Sequence, residues 1–362
     1  MRITYSTLAI LIIATVVFLY AQTILSQDRA AYSRMHYDRY EMMREEWGDN
    51  QLERAQKSAQ ELFAQGCREA VVGYEGETCP LAQVGECYQE LGPHKLRAEP
   101  SCTDWGMQYL DTPESVRGIY LTSHAVGTPS IRNRVFDLLE STELNTVVID
   151  IKETDGVVAT RVGNTESIPF QEERMSGIQG ILEELHEREV YTIARIVLFK
   201  DQSWSESFPQ DAVKRKDNHD KVWTDYRGKK YIDPSAVDYW EYVTELSRRV
   251  HQMGFDEIQV DYIRFPSDGD TANIYYPYSQ DKLDKLGYTQ GRLSVIEDFM
   301  QYYTTTLRRE YPDIVLSADV FGMTTSLSGD LTIGQKLEPF MKYFDYVSPM
   351  VYPSHYPKFF IP

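Results

Sequence analysis

The sequence predicts an α/β protein of the (β/α)8 TIM-barrel type, with about six βα units present. Two observations carry this. Between residues 117 and 352, short runs rich in Val and Ile alternate with longer amphipathic stretches. That alternation implies parallel strands joined by crossover helices, with strands buried on both faces. Most of the runs also carry a charged residue near their far end and lead into a loop, which is where barrels place their active sites. A closed barrel has eight strands, so the chain is expected to be incomplete at its C-terminus, lacking about two units. If it is complete, a doubly wound sheet is the alternative.

Arg2 precedes an apolar run that continues from Leu8 to Leu25 with few polar breaks. Residues 1–26 therefore read as a signal peptide or as a membrane anchor of about 20 residues. Ala21-Gln22-Thr23 is a poor cleavage site, which favours the anchor; either reading exports the rest of the chain. Residues 27–113 form an accessory region. Its Pro-free first part, rich in Glu, Arg and Gln to about residue 65, predicts a helical stalk. Beyond it the Gly, Pro and Cys content rises. Cys67, Cys79, Cys87 and Cys102 lack the paired spacing of a zinc site and are expected to form two disulfides in one of three pairings.

Residues 114–362 are the barrel domain. Strands are expected at 117–123, 146–152, 190–199, 257–265, 314–321 and 346–352. Helices are expected at 130–141, 178–188, 235–253 and 294–309, with a weaker one at 334–343. A long loop follows the third strand, and a Tyr-rich loop follows the fourth.

Composition narrows the function. A net charge of −18 argues against a surface for nucleic-acid phosphates. There is no phosphate-cradling glycine loop, no H-E-x-x-H and no G-x-S-x-G elbow, and the seven His are scattered. No metal and no cofactor are expected. Aromatic residues make up 12% of the chain, including 26 Tyr, whose flat faces and polar edges suit sugar rings as well as ordinary packing.

The stretch EIQVDYIRFPS, residues 257–267, is the centre of the pattern. Gln259, Asp261 and Ile263 fall on one strand face, since side chains alternate. By the same spacing Asp150 shares a face with Lys152, and Ser317 with Asp319. Carboxylates gathered in one low-dielectric cup have their pKa values pushed apart, which gives similar groups different roles. Paired carboxylates with flanking aromatics point to glycoside hydrolysis. A layered salt-bridge network that only closes the barrel is the alternative.

Six blocks, VRGIYLTSHAVG, LNTVVIDIKETDG, IARIVLFKD, GFDEIQVDYIRFPSDG, LSADVFGMTT and YVSPMVYPSHY, resemble in order and spacing a bacterial family of glycoside-hydrolase-like domains. The resemblance covers residues 116–356. It implies a TIM barrel of α-amylase-like architecture and places the family's carboxylates at Asp261 and Asp319.

Asp261 is expected to be the nucleophile or charge stabiliser and Asp319 the acid/base, with Asp150 and Glu153 in reserve for that second role. Arg195 and Arg264 would hold a carboxylate ionised. His124, Tyr352 and His355 would contact sugar hydroxyls. Trp223, with Trp204, Tyr275, Tyr276 and Tyr278, would stack on sugar rings. The expected partner is an extracellular or cell-envelope polysaccharide or oligosaccharide. A non-catalytic carbohydrate-binding protein, or an envelope structural protein on the same scaffold, is the alternative.

Overall fold

The alternating runs fold into a single parallel sheet whose strands lie side by side in chain order. The computed structural model describes residues 109–163 and 167–353, all within one unit, Leu52–Pro362. The signal or anchor segment, the stalk, the four cysteines and His355 lie outside the described residues. Among the described residues no helix is long and apolar enough to cross a membrane.

In order, the elements are β1 (Gly118–Leu121), α1 (Ser123–Gly127), α2 (Pro129–Ser141), β2 (Thr146–Lys152), α3 (Ile178–Glu187), β3 (Tyr191–Val197) and α4 (Gln202–Ser207). A small excursion, β4 (Lys214–Arg215) and β5 (Asn218–Val222), precedes α5 (Val237–Gln252) and β6 (Glu257–Asp261). Then come β7 (Ile274–Tyr275), α6 (Gln280–Leu286), α7 (Tyr288–Glu310), β8 (Val315–Phe321), α8 (Leu337–Tyr343) and β9 (Tyr346–Met350). The main sheet runs β1-β2-β3-β6-β8-β9, every neighbouring pair parallel. It curls into a half-barrel. A doubly wound sheet would reverse its order partway; this one does not. The short antiparallel sheet β5-β4-β7, absent from the sequence reading, ties the loop after β3 to the loop after β6.

The two faces of the main sheet differ in kind. On one, Val147, Ile149, Ala194, Ile196, Ile258, Val260, Leu316, Ala318 and Val320 are buried and apolar. Helices supply the other half of that core. Ile178, Ile181, Leu182 and Leu185 of α3 recur at helical spacing, as do Trp240, Val243, Leu246 and Val250 of α5. On the opposite face the register aligns Asp150, Arg195, Gln259, Ser317 and Tyr346, and Tyr120, which pairs with Val148, lies on the same side. That face is polar.

Two backbone features depart from the simple alternation. The β2–β3 register shifts between Asp150 and Lys152, so Lys152 pairs with Ile196 and turns to the helix-covered side. Asp150 and Lys152 therefore do not share a face: the bulge inserts a residue and re-aims the side chains beyond it. Lys152, fully buried, meets Asp201 at 2.7 Å and donates to Val197 O and Tyr239 Oη. The second departure ends β6 at Asp261 rather than at residue 265, because Tyr262 takes φ 59°. A left-handed residue breaks the ladder.

A buried charge left without its partner destabilises a fold by about 3–5 kcal/mol. Lys152→Met, which strands Asp201 inside the protein, should lower the unfolding free energy by about that much, read from urea titrations. A loss below about 1 kcal/mol would show that Asp201 does not depend on the lysine.

Candidate active site

Arg195 organises the polar face. From β3 its guanidinium reaches three carboxylates on three strands. Nη1 donates to Asp150 Oδ1 on β2 at 2.6 Å, and Nη2 to Asp261 Oδ2 at the end of β6 at 2.5 Å. Nε lies 3.7 Å from Asp319 Oδ2 on β8. All three acids are buried or nearly so, with side-chain exposures of 1%, 7% and 13%. Burial alone would lower the Arg195 pKa; the charges of Asp261 and Asp150 outweigh it and raise the pKa well above its ordinary value.

One guanidinium cannot neutralise three carboxylates. Asp319 bears most of the imbalance: burial first, then the charge of Asp261, hold its pKa well above the usual carboxylate range. Burial also raises Asp150, against the pull of Arg195 and the hydroxyl of Tyr120, which donates to Asp150 Oδ2. Asp261 accepts a second hydrogen bond, at 2.6 Å, from the backbone N–H of Tyr262. The left-handed turn at Tyr262 follows directly on the acid that it caps.

Asp261 and Asp319 sit at the ends of neighbouring parallel strands in which Val260 pairs with Ala318. Sharing one guanidinium keeps the pair inside the roughly 9.5 Å upper limit of glycosidase carboxyl pairs. Beneath them, Tyr191 Oη donates to Glu257 Oε2 at 3.0 Å, and Ser317 Oγ donates to the other oxygen. This second polar layer supports the first.

The remaining candidates divide. Glu153 accepts from Ser123 Oγ at 2.9 Å and is close enough to act on Asp150 and Tyr120. His124 is exposed on α1, and Tyr352, 56% exposed, follows β9. Arg264 is a correction: no carboxylate lies within ion-pair distance among the described residues. It donates to Phe265 O and Ser267 Oγ instead; the strand ends at Asp261, and Arg264 lies in the loop beyond the left-handed Tyr262.

Trp223 is a second correction. Its ring is 2% exposed, packs edge-on to Tyr231 and donates to Asp270 O, so it fills the loop core. Trp204 and Tyr278 both bond Asp211, Tyr276 is buried and Tyr275 stacks on His219. These aromatics hold loops together. Tyr120 was not among the sequence candidates, although period-two counting from Gly118 puts it on the polar face. It is 51% exposed and bonded to Asp150.

Residues 118–361 match the family model described as "Putative glycosyl hydrolase domain". Among solved structures, a hypothetical protein from Ruminiclostridium thermocellum is 31% identical over 56% of this chain and 97% of its own, with a TM-score of 0.47. The PgaB (BpsB) glycoside hydrolase domain from Bordetella bronchiseptica is 12% identical over 65% of this chain and 74% of its own, with a TM-score of 0.48. A cycloalternan-degrading enzyme from Trueperella pyogenes is 15% identical over 58% and 33%, with a TM-score of 0.39. No curated protein matches the chain.

A carboxyl whose pKa is raised on folding binds its proton more tightly in the native state. Its contribution to stability is then greatest in acid, and falls as pH rises from the ordinary value of 3.8 through the folded-state value. Asp319→Asn removes that dependence. Its stability advantage over the unmodified protein should grow with pH across that window, measured by urea unfolding at a series of pH values. Parallel curves would show that Asp319 titrates normally.

Proposed function

We propose, from the premise that the chain belongs to the "Putative glycosyl hydrolase domain" family, that it hydrolyses a glycosidic bond with Asp319 as acid and Asp261 as its partner. The single observation behind this is the sharing of Arg195 by two carboxyl groups whose surroundings differ. Burial and then the charge of Asp261 push the Asp319 pKa up, the direction a general acid needs. Asp261 accepts from Arg195 and from a backbone N–H, the surroundings of a working carboxylate.

The proposed reaction starts with transfer of the Asp319 proton to the glycosidic oxygen as the bond to the anomeric carbon breaks. The leaving sugar departs as an alcohol. Positive charge develops on the anomeric carbon and ring oxygen, where the Asp261 carboxylate stabilises it or bonds to it. Water then supplies the hydroxyl, and its proton returns to Asp319. Arg195 keeps the two acids apart and aligned, and Asp150 with Tyr120 fixes the far side of the guanidinium.

On this reading the six strands are the first six of an eight-stranded barrel. His124 and Tyr352 belong to the rim that meets sugar hydroxyls, and Glu153 is a reserve acid. The substrate is an extracellular or envelope polysaccharide. Residues 1–26 export the domain or anchor it to a membrane.

The two acids are separable by leaving group. With the natural glycan, Asp319→Asn should lose about 10²–10⁴-fold in turnover. It should lose far less with an aryl glycoside, whose leaving group departs without a proton. Asp261→Asn should lose activity on both. The opposite pattern would exchange the roles. No turnover by the unmodified chain on a polysaccharide panel, with binding retained, would make it a carbohydrate-binding protein; neither turnover nor binding would leave an envelope structural role.

A further inference from the structure

Arg264 is 6% exposed, yet no carboxylate among the described residues neutralises it. Its Nη1 is committed, donating to Phe265 O at 3.1 Å and Ser267 Oγ at 3.0 Å. Its guanidinium carbon lies 4.8 Å from the centroid of the Tyr262 ring and 4.9 Å from that of Phe321. These contacts fix the plane of the group. Nε and Nη2 have no hydrogen-bond acceptor among the described residues, and neither is sealed from solvent.

An immobilised guanidinium with one edge free is a particular kind of site. The Nε–H and Nη2–H bonds run parallel, at the spacing of the two oxygens of a carboxylate, sulfate or phosphate. Burying such a cation without a counter-ion is unfavourable, and ring faces offset only part of that cost. An arriving anion supplies the rest. A second cation stands beside the same phenol: Lys200 Nζ lies 5.4 Å from the Tyr262 ring centroid and 3.1 Å from Asp225. Ser267, the partner of Arg264, also lines a cavity of about 240 Å³ whose charged residues are Lys216 and Arg292, the latter paired with Asp330 at 2.6 Å. That is below the roughly 300 Å³ at which drug-sized pockets begin, and suits one substituent or one ring.

We propose that the free Nε–Nη2 edge of Arg264 binds an anionic substituent of the glycan, so that the site selects acidic polysaccharides. This rests on the glycosidase reading, with Arg264 three residues beyond Asp261 on the same strand end. The net charge of −18 repels polyanions at a distance. Screening over about 8 Å at physiological ionic strength leaves the choice to the local charges. Close in, the carboxylates around Arg195 would reject an anion, while Arg264, with no carboxylate partner among the described residues, accepts one. The substrate is thereby fixed in one register, its acidic group at Arg264 and its glycosidic bond at Asp261.

The test uses the full chain carrying Asp261→Asn, so that binding is read without turnover. Titration calorimetry compares polygalacturonate, alginate and dextran sulfate with carboxyl-reduced polygalacturonate, carboxyl-reduced alginate and dextran. At least one acidic polymer should bind about tenfold or more tightly than its neutral counterpart, as charge-assisted hydrogen bonds allow. Adding Arg264→Gln should bring that polymer to the neutral level, with Arg264→Lys between, since lysine keeps the charge and loses the fork. Which acidic polymers respond separates carboxylate from sulfate recognition. Binding of no acidic polymer more tightly than its counterpart overturns the proposal, and needs no change at 264. So does an equal loss on both classes with Arg264→Gln. Acidic binding without hydrolysis by the unmodified chain would remove the hydrolase reading alone; hydrolysis of neutral glycans only would remove this proposal alone.

Discussion

One arginine shared by three acids holds the polar face together. Arg195 pairs in register with Asp150 on one side and Gln259 on the other, but its long side chain reaches past Gln259 to Asp261 and across to Asp319. A lysine would offer a single point charge and could not hold carboxylates on three strands in fixed directions. The acids in turn need the arginine, because any two ionised carboxylates this deep repel strongly. Burial raises the pKa of both Asp319 and Asp150, and at Asp319 the charge of Asp261 adds to it, because one cation serves three acids.

The same strands solve the opposite problem on their other face. There the helices demand apolar contact, and the one lysine is sealed with Asp201 and the Tyr239 hydroxyl. Had β2 continued without its bulge, Lys152 would point at Asp150 and Arg195 and add a second cation to the shared network. A single inserted residue separates the ion pair under the helices from the shared network on the polar face.

Much of this was legible in the sequence. Reading the far ends of the strands gathered Asp150, Arg195, Asp261 and Asp319 at one place, and period-two counting put Asp261 with Gln259 and Asp319 with Ser317. The six strands and their crossover helices were readable from Val/Ile runs and from helical spacing such as that of Ile178, Ile181 and Leu185. The bulge was not: TVVIDIK contains no glycine or proline to mark it. Nor was the left-handed turn at Tyr262, a conformation that aromatic residues seldom adopt. The β4, β5 and β7 strands are too short and polar to show a period. The burial of Trp223 depends on Gly269, where even a Cβ would meet the indole ring at 2.7 Å. Such contacts between distant loops leave no local trace.

Tyr262 joins the two halves of the site. A non-glycine residue in a left-handed conformation costs about 1–3 kcal/mol and persists only where the surroundings impose it. Here the turn does two things at once. It aims a backbone N–H at Asp261 Oδ1, and it sets the phenol ring against both Lys200 and Arg264. An extended residue at 262 would continue the strand, release that N–H to the ladder and turn Arg264 to the helix-covered face with Val260, since side chains alternate along a strand. Strain at one residue therefore caps Asp261 and, in the same turn, holds Arg264 against the Tyr262 ring beside Phe321, on the polar side of the strand's end.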